Sequence, residues 1–235
     1  MSSIQLVREE AARHGLAVRT MFAPCVEDAV PPVAEGSPAR TLALVGNVGS
    51  SLWAAFSASP EFVDGHDHPL DRWSRRLGEE IARRCGGLAL FPFGGPPDHP
   101  FQRWALRTGT LFASPVGLLI DPKYGLWHAF RFAIALPDQI EEPVLPAGSP
   151  CLNCSAQPCL KACPVTAFVE GEYRYRQCID HLVAHGDAQC WRIGCLARHA
   201  CPVGQTYRYL PAHANFHMSA FVAKRRQPDG GLGLG

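Results

Sequence analysis

Apolar residues recur at helical spacing in the first stretch of the chain, at Ile4, Val7 and Ala11. Ser2 and Ser3 precede them as candidate caps and Gly15 closes the run, so the pattern predicts a short helix. "AVRTMFAP" and the apolar run "TLALVGN" read as strands, the second of them buried. "SSLWAAFSAS" follows as a helix with serines placed to cap it. The clearest helix is "HPLDRWSRRLGEEIARRCGG": Pro69 stands at its start, Leu70, Trp73, Leu77 and Ile81 form one stripe, and Gly86 and Gly87 end it. "LALFPF" adds a strand, and "PFQRWALRTG" a helix between Pro100 and Gly109.

In "VGLLIDPKYGLWHAFRFAIALP" the period changes to two. The stretch reads as two strands joined at Asp121–Gly125, with Pro122 and Gly125 supplying the turn. His128, Phe130, Phe132, Ile134 and Leu136 share one face; Trp127, Ala129, Arg131, Ala133 and Ala135 share the other. A face of alanines around a single arginine leaves room for something flat to lie against it. The same face equally accepts a packed helix, with Arg131 paired to a carboxylate. Mixed helices and strands up to residue 136 predict an α+β or α/β domain. "EEPVLPAGSP" then reads as a Pro-rich connector, and "RRQPDGGLGLG" as a mobile end.

Composition narrows the function classes. The chain has 235 residues, 47% of them hydrophobic, enough for a real core. Only 18% are charged and the formal net charge is +1, which argues against a general nucleic-acid binder. The first residues carry Arg and Glu where a signal peptide needs an apolar run, and no stretch approaches the length of a membrane span. The expectation is a cytoplasmic chain with reduced thiols.

Cysteine placement is the strongest signal. Of ten, only Cys25 and Cys85 precede residue 150, and these read as ordinary buried or half-buried thiols. "CLNCSAQPCLKACP" spaces its cysteines as C-x2-C-x4-C-x3-C-P; a second run comprises Cys178, Cys190, Cys195 and Cys201–Pro202. Bacterial two-cluster ferredoxins use C-x2-C-x2-C-x3-C-P, in which the last cysteine of each run serves the other cluster. The Cys-Pro endings of both runs point to that crossed arrangement. One [4Fe–4S] cluster is assigned to Cys151, Cys154, Cys159 and Cys201, and a second to Cys163, Cys178, Cys190 and Cys195. Two extra residues between Cys154 and Cys159, and the stretched second run, leave a single-cluster version open. All-thiolate zinc sites and disulfides are the other readings of such spacing. Residues 151–235 hold nine Lys and Arg against five Asp and Glu. Two oxidised clusters with their thiolates would contribute about −4 and neutralise that excess, with Arg174, Arg176, Arg192 and Arg198 as local compensation; a solvated basic face explains them as well.

Residues 4–137 resemble the cyanocobalamin reductase/alkylcobalamin dealkylase family of cobalamin-processing proteins. The likeness is carried by "IDPKYGLWHAFRFAIALP", which looks like that family's I-[HD]-P-x-[FY]-G-x-W-x-A-x-R strand pair. "CLNCSAQPCLKACP", "YRQCIDH" and "GCLARHACPVG" are similar to the double-cluster region of epoxyqueuosine reductase and corrinoid reductive dehalogenases. In the second run one cysteine of that pattern is replaced at Arg198, and Cys190 would have to stand in for it. The resemblance implies a nitroreductase-like α+β domain (1–137), a connector (138–150), a small ferredoxin-like double-cluster module (151–210) and a C-terminal tail (211–235). It also implies a bound cobalamin or related corrinoid, with Arg131 gripping a polar group of the ligand and Trp127 and Tyr124 lining the site.

The expected activity is an oxidoreductase that takes electrons from an external donor (a ferredoxin, flavodoxin or reductase), passes them through the clusters and reduces the cobalt, releasing its upper ligand. A ferredoxin-like electron carrier without corrinoid is the first rival, its pocket empty or filled by flavin. A tRNA-modifying enzyme akin to epoxyqueuosine reductase is the second, disfavoured by the low charge and the absence of an added RNA-binding domain. No motif forces a flavin: "GNVGSS" lacks the full G-x-G-x-x-G, and helix capping explains it. His66 and His68 precede a helix start, where polar residues are routine, and His99, His213 and His217 carry no stronger signal. Hydrolytic motifs are absent.

Overall fold

The structure, a computed structural model, describes residues 2–140, 148–169 and 172–226. Most of the predicted connector and the last nine residues of the predicted mobile end lie outside the described residues. The strands are β1 (Ala17–Phe22), β2 (Thr41–Val48), β3 (Leu88–Leu90), β4 (Phe112–Ala113), β5 (Leu119–Ile120), β6 (His128–Leu136), β7 (Phe168–Val169) and β8 (Glu172–Tyr173). The helices are α1 (Ser3–Arg13), α2 (Trp53–Ser57), α3 (Pro60–Val63), α4 (Pro69–Cys85), α5 (Phe101–Arg107), α6 (Pro158–Lys161), α7 (Tyr175–Ala184), α8 (Gln189–Ile193), α9 (Leu196–His199) and α10 (Pro211–Arg226). No helix is long and apolar enough to cross a membrane among the described residues. Two compact units result: Met1–Thr110 with His128–Pro146, and Leu111–Trp127 with Ala147–Leu234.

The first unit is built on an antiparallel sheet of order β1-β2-β6-β3. β2 is buried at every position but the last, as its unbroken apolar run predicts for a central strand. Helix α4 packs its Leu70, Trp73, Leu77 and Ile81 stripe inward, and Pro69 and the left-handed Gly86 bound it as the sequence predicts. Gly78 lets this helix lie close to the sheet: a Cβ there would meet the Phe91 ring at 3.0 Å and the Phe132 ring at 3.1 Å. Ser2 caps α1 by accepting from the Gln5 N–H.

The strand pair expected at 119–136 does not form. β5 pairs with β4, while β6 pairs with β2 and β3. A run of alternating residues says that a strand exists, but its partner is fixed by long-range packing that the alternation does not encode. β6 also carries a bulge. Val45 faces Phe132 and Gly46 faces Phe130, which leaves Arg131 without a position in the ladder. The two-faced alternation read from the sequence is therefore interrupted at Arg131, and Ala133 and Ala135 are fully buried core residues.

An anchor of this unit went unseen in the sequence. Asp28, 4% exposed, accepts from the Cys25 N–H at 2.7 Å and from Arg107 Nη1 at 2.5 Å, and its carbonyl accepts from the buried Trp104 indole at 2.9 Å. Burial works against the Asp28 charge, but the hydrogen bonds from Cys25 and Arg107 outweigh it and hold the carboxyl below its ordinary value of 3.8. Asp28→Asn is expected to cost about 1–3 kcal/mol at pH 7, less than a fully buried pair because Arg107 is 38% exposed. A depressed carboxylate contributes stability above its unfolded pKa and loses it as pH falls through the folded one. Urea midpoints of the two proteins should therefore converge below about pH 4.

In the second unit, segment 111–127 joins the cysteine-rich chain in one core. Val116, Ile120 and Leu126 pack with Cys159, Phe168, Ala197 and Cys201. The backbones interlock where Gly125 and Gly204, both left-handed, meet: a Cβ on Gly125 would lie 2.1 Å from the Val203 carbonyl oxygen, and one on Gly204 2.2 Å from that of Tyr124. Residues 211–226 form helix α10, whose Met218, Phe221 and Val222 cover Cys178 and Cys190 together with Ile179 and Leu182.

Candidate functional site

Short helices and turns present the cysteines. Cys151 sits in a 3-10 turn over Pro150–Asn153, with the Ser149 hydroxyl accepting its N–H, and Cys154 ends that turn. The two residues added to the spacing are absorbed by a turn through a left-handed Gln157, after which Pro158 opens α6 and carries Cys159. Cys163 follows α6, Cys178 lies in α7, Cys190 in α8, and Cys195 stands at the N-terminal cap of α9 after the left-handed Gly194. Cys201 comes just after α9.

The folded chain brings these thiols into two groups. Cys151, Cys154, Cys159 and Cys201 line one cavity of about 190 Å³, whose remaining wall is largely apolar and includes Pro115, Ile120 and Pro202. Burial pushes up the thiol pKa of Cys151, Cys159 and Cys201, and the neighbouring thiols that add to the rise all come from this group. Burial likewise raises Cys178, to about 11, as well as Cys190 and Cys195, and there the contributing neighbours are Cys163, Cys190 and Cys195. All ten thiols are free.

Backbone N–H groups are aimed at the sulfurs. Ala167 donates to Cys163 Sγ at 3.3 Å, and Leu160, Leu196, Arg198 and Val203 partly offset the rise at Cys159, Cys190, Cys195 and Cys201. Such donors favour thiolate over thiol. Among the described residues no three His, Cys, Asp or Glu side chains converge tightly enough to hold a single metal ion. A four-iron cubane carries its thiolates on four different iron atoms, whereas one zinc draws all four to about 2.3 Å. Four thiols around one largely apolar cavity are a donor set that suits a cubane, and a four-cysteine zinc site is a second fit.

Arg198, at the position where the resemblance leads one to expect a cysteine, has a different place. Its guanidinium lies 4.5 Å from the Trp127 ring centre and 4.2 Å from that of Tyr209, and it donates to the Leu126 carbonyl. Trp127 is 1% exposed and belongs to this core with Tyr209 and Ala214. Its indole N–H has no hydrogen-bond acceptor among the described residues. Tyr124 meets Tyr207 edge-on at 4.8 Å. Trp127 and Tyr124 thus belong to the second unit, and Arg131, half-buried with Nε donating to the Phe130 carbonyl, belongs to the first. Cys85 is half-buried as expected, whereas Cys25 is exposed, with Arg107 Nη1 2.6 Å from its sulfur. That contact joins residues 82 positions apart, beyond what local pattern shows.

No protein-family model matches the chain, and no curated protein sequence matches it. Solved structures do. One is a C. elegans B12-trafficking protein, CblC, a homologue of human MMACHC: 14% identity, TM-score 0.53, covering 92% of this chain and 90% of that one. Another is epoxyqueuosine reductase from Bacillus subtilis, at 15% identity and TM-score 0.50, covering 87% of this chain and 66% of that one. An epoxyqueuosine reductase solved with a modified tRNA stem loop gives 16% identity and TM-score 0.51 over the same shares. At these identities the likeness is one of fold. This chain shares a mixed helix-and-sheet fold with both kinds of protein, and fold alone does not carry activity.

Proposed function

We propose that this protein is an iron–sulfur oxidoreductase with a ferredoxin-like second unit. In this reading Cys151, Cys154, Cys159 and Cys201 hold one [4Fe–4S] cluster, Cys163, Cys178, Cys190 and Cys195 hold another, and a corrinoid is the electron acceptor. The observation that carries it is the partition of eight thiols into two separate groups of four, the first around a cavity. Clusters of this kind, when bound, supply one-electron transfer, and the cobalt of a corrinoid supplies an acceptor whose axial bonds weaken on reduction.

The chain's own residues have definite tasks. The apolar wall from Val116, Ile120 and Leu126 keeps water from Cys159 and Cys201, and α10 does the same for Cys178 and Cys190. The N–H donors at Cys159, Cys163, Cys190, Cys195 and Cys201 stabilise sulfur charge and so tune potential. Arg198, fixed between two rings, adds a positive charge next to the Cys195 turn. Arg131 is the first-unit candidate for a polar group of the corrinoid, as a planar multi-donor head at a bulge. Trp127, closed into the core, serves by supporting Arg198.

Anaerobic protein titrated with hydroxocobalamin and a chemical reductant is expected to give cluster signals and a Co(II) signal in electron paramagnetic resonance. Clusters without any change in cobalamin absorption would remove the corrinoid part. Zinc in place of iron would remove the whole.

A further inference from the structure

The first unit carries a second site candidate, independent of the cysteines. A groove of about 950 Å³ is walled by α4, β3 and the loop after it; Arg72, Arg75, Arg76 and Arg83 line it with one carboxylate, Glu79, among them, and Phe93 and His99 belong to the same lining. Two of these arginines are already committed. Arg72 clasps Asp64 with two bonds of 2.7 Å, and Arg76 clasps Glu61 at 2.5 and 3.1 Å.

The other two are not. Arg83 makes no hydrogen bond or ion pair among the described residues. Arg75 has Glu79 at 3.8 Å, outside hydrogen-bond reach, and rests over the rings of Phe91 and Phe93 at 4.7 and 5.6 Å. Gly94 leaves its head room: a Cβ there would come within 2.7 Å of Arg75 Nη2. Arg75 thus lies over two rings beside Glu79, with no hydrogen bond from its donors among the described residues. A guanidinium of that kind is suited to bidentate phosphate pairing.

Spacing and surface chemistry narrow the ligand. Arg75 and Arg83 are eight residues apart on one helix, about 12 Å along its axis, so one phosphate does not reach both. At the Arg75 end the walls are apolar and aromatic, with Phe93 half-buried, Pro96 and Pro97 beside it, and His99 stacked on Trp104 at 5.6 Å. Burial lowers the His99 pKa, leaving a neutral ring at pH 7. We propose that this groove binds a nucleoside polyphosphate, its base against Phe93 and His99 and its phosphates along α4 from Arg75 to Arg83. The groove's volume is that of a small-molecule site.

The test is calorimetric titration of the full chain with ATP and, separately, with sodium tripolyphosphate. ATP is expected to bind with a Kd below about 1 mM. Arg83→Gln should weaken it about tenfold with the melting temperature unchanged, because Arg83 is exposed and makes no hydrogen bond or ion pair among the described residues. Arg75→Gln with Arg83→Gln should abolish binding, and His99→Ala should weaken ATP but not tripolyphosphate. Arg40→Gln, at an exposed arginine of the same unit outside the groove, should change nothing. Equal losses from Arg40→Gln and Arg83→Gln would reduce the effect to general charge, and overturn the proposal. So would tripolyphosphate binding as tightly as ATP, or no ATP binding at all. Iron content plays no part in any arm, so the outcome is separate from that of the cysteine reading.

Discussion

Cys159→Ala is expected to halve the iron and acid-labile sulfide of protein prepared without oxygen, from about eight of each per chain to about four. Cys159 is buried in the wall of the first cavity, among Cys151, Cys154 and Cys201, and has no part in the second group. Cys190→Ala should produce the same half-loss from the other group, and the double variant should be nearly metal-free. Cys25→Ala and Cys85→Ala should retain the full content, since neither belongs to either group. Iron and sulfide assays with electron paramagnetic resonance read all of these. Complete loss from one substitution would mean a single shared assembly. Unchanged content would remove the substituted cysteine from the ligand set, and absence of iron and sulfide from the unsubstituted protein would end the iron–sulfur reading.

Gly46→Ala is expected to be among the most damaging methyl additions in the first unit. The new Cβ would lie 1.9 Å from the Ala129 carbonyl oxygen and 2.9 Å from the Phe130 Cα, both rigid backbone of the neighbouring strand. Neither strand has room to give way. β2 is an inner strand, paired on both edges, and the bulge at Arg131 is seated across from Gly46. The cost should reach about 3 kcal/mol, the upper end for overpacking a core, and should appear as a lower denaturant midpoint. Because the bulge aims the Arg131 side chain, the variant should also weaken whatever Arg131 binds. Ala43→Gly in the same strand serves as a control for lost β-propensity without the clash.

What the sequence made legible follows from range. Helix α4 was readable because its stripe, its proline and its glycine all lie within twenty residues and agree. β2 was readable because an unbroken apolar run of that length fits a buried strand. The partner of β5 was not, since Phe112 and Ile120, which face each other, contain nothing that prefers each other over β6. The bulge was hidden for the same reason: Gly46 and Arg131 are 85 positions apart, and only together do they mark it. At the cysteines, spacing and the two Cys-Pro endings suggested who belongs with whom. The role of Arg198 was hidden, because its partners Leu126 and Trp127 stand about seventy positions earlier. The helical character of 211–226 was missed, its Met218, Phe221 and Val222 being scattered among small and polar residues. Gly125 and Gly204 were the available clue that "IDPKYGLW" packs on the cysteine chain, since two glycines in left-handed turns mark a close approach of backbones.

The path of the chain has a practical corollary. It leaves the first unit after Thr110, spends residues 111–127 in the cysteine unit, and re-enters the first unit at His128, the start of β6. The cysteine half is therefore no detachable cassette. A graft of residues 148–226 into another host would arrive without Val116, Ile120 and Leu126, the apolar floor beneath Cys159 and Cys201. An engineer who wishes to transplant this half must carry the inserted loop with it, or supply a substitute floor in the recipient.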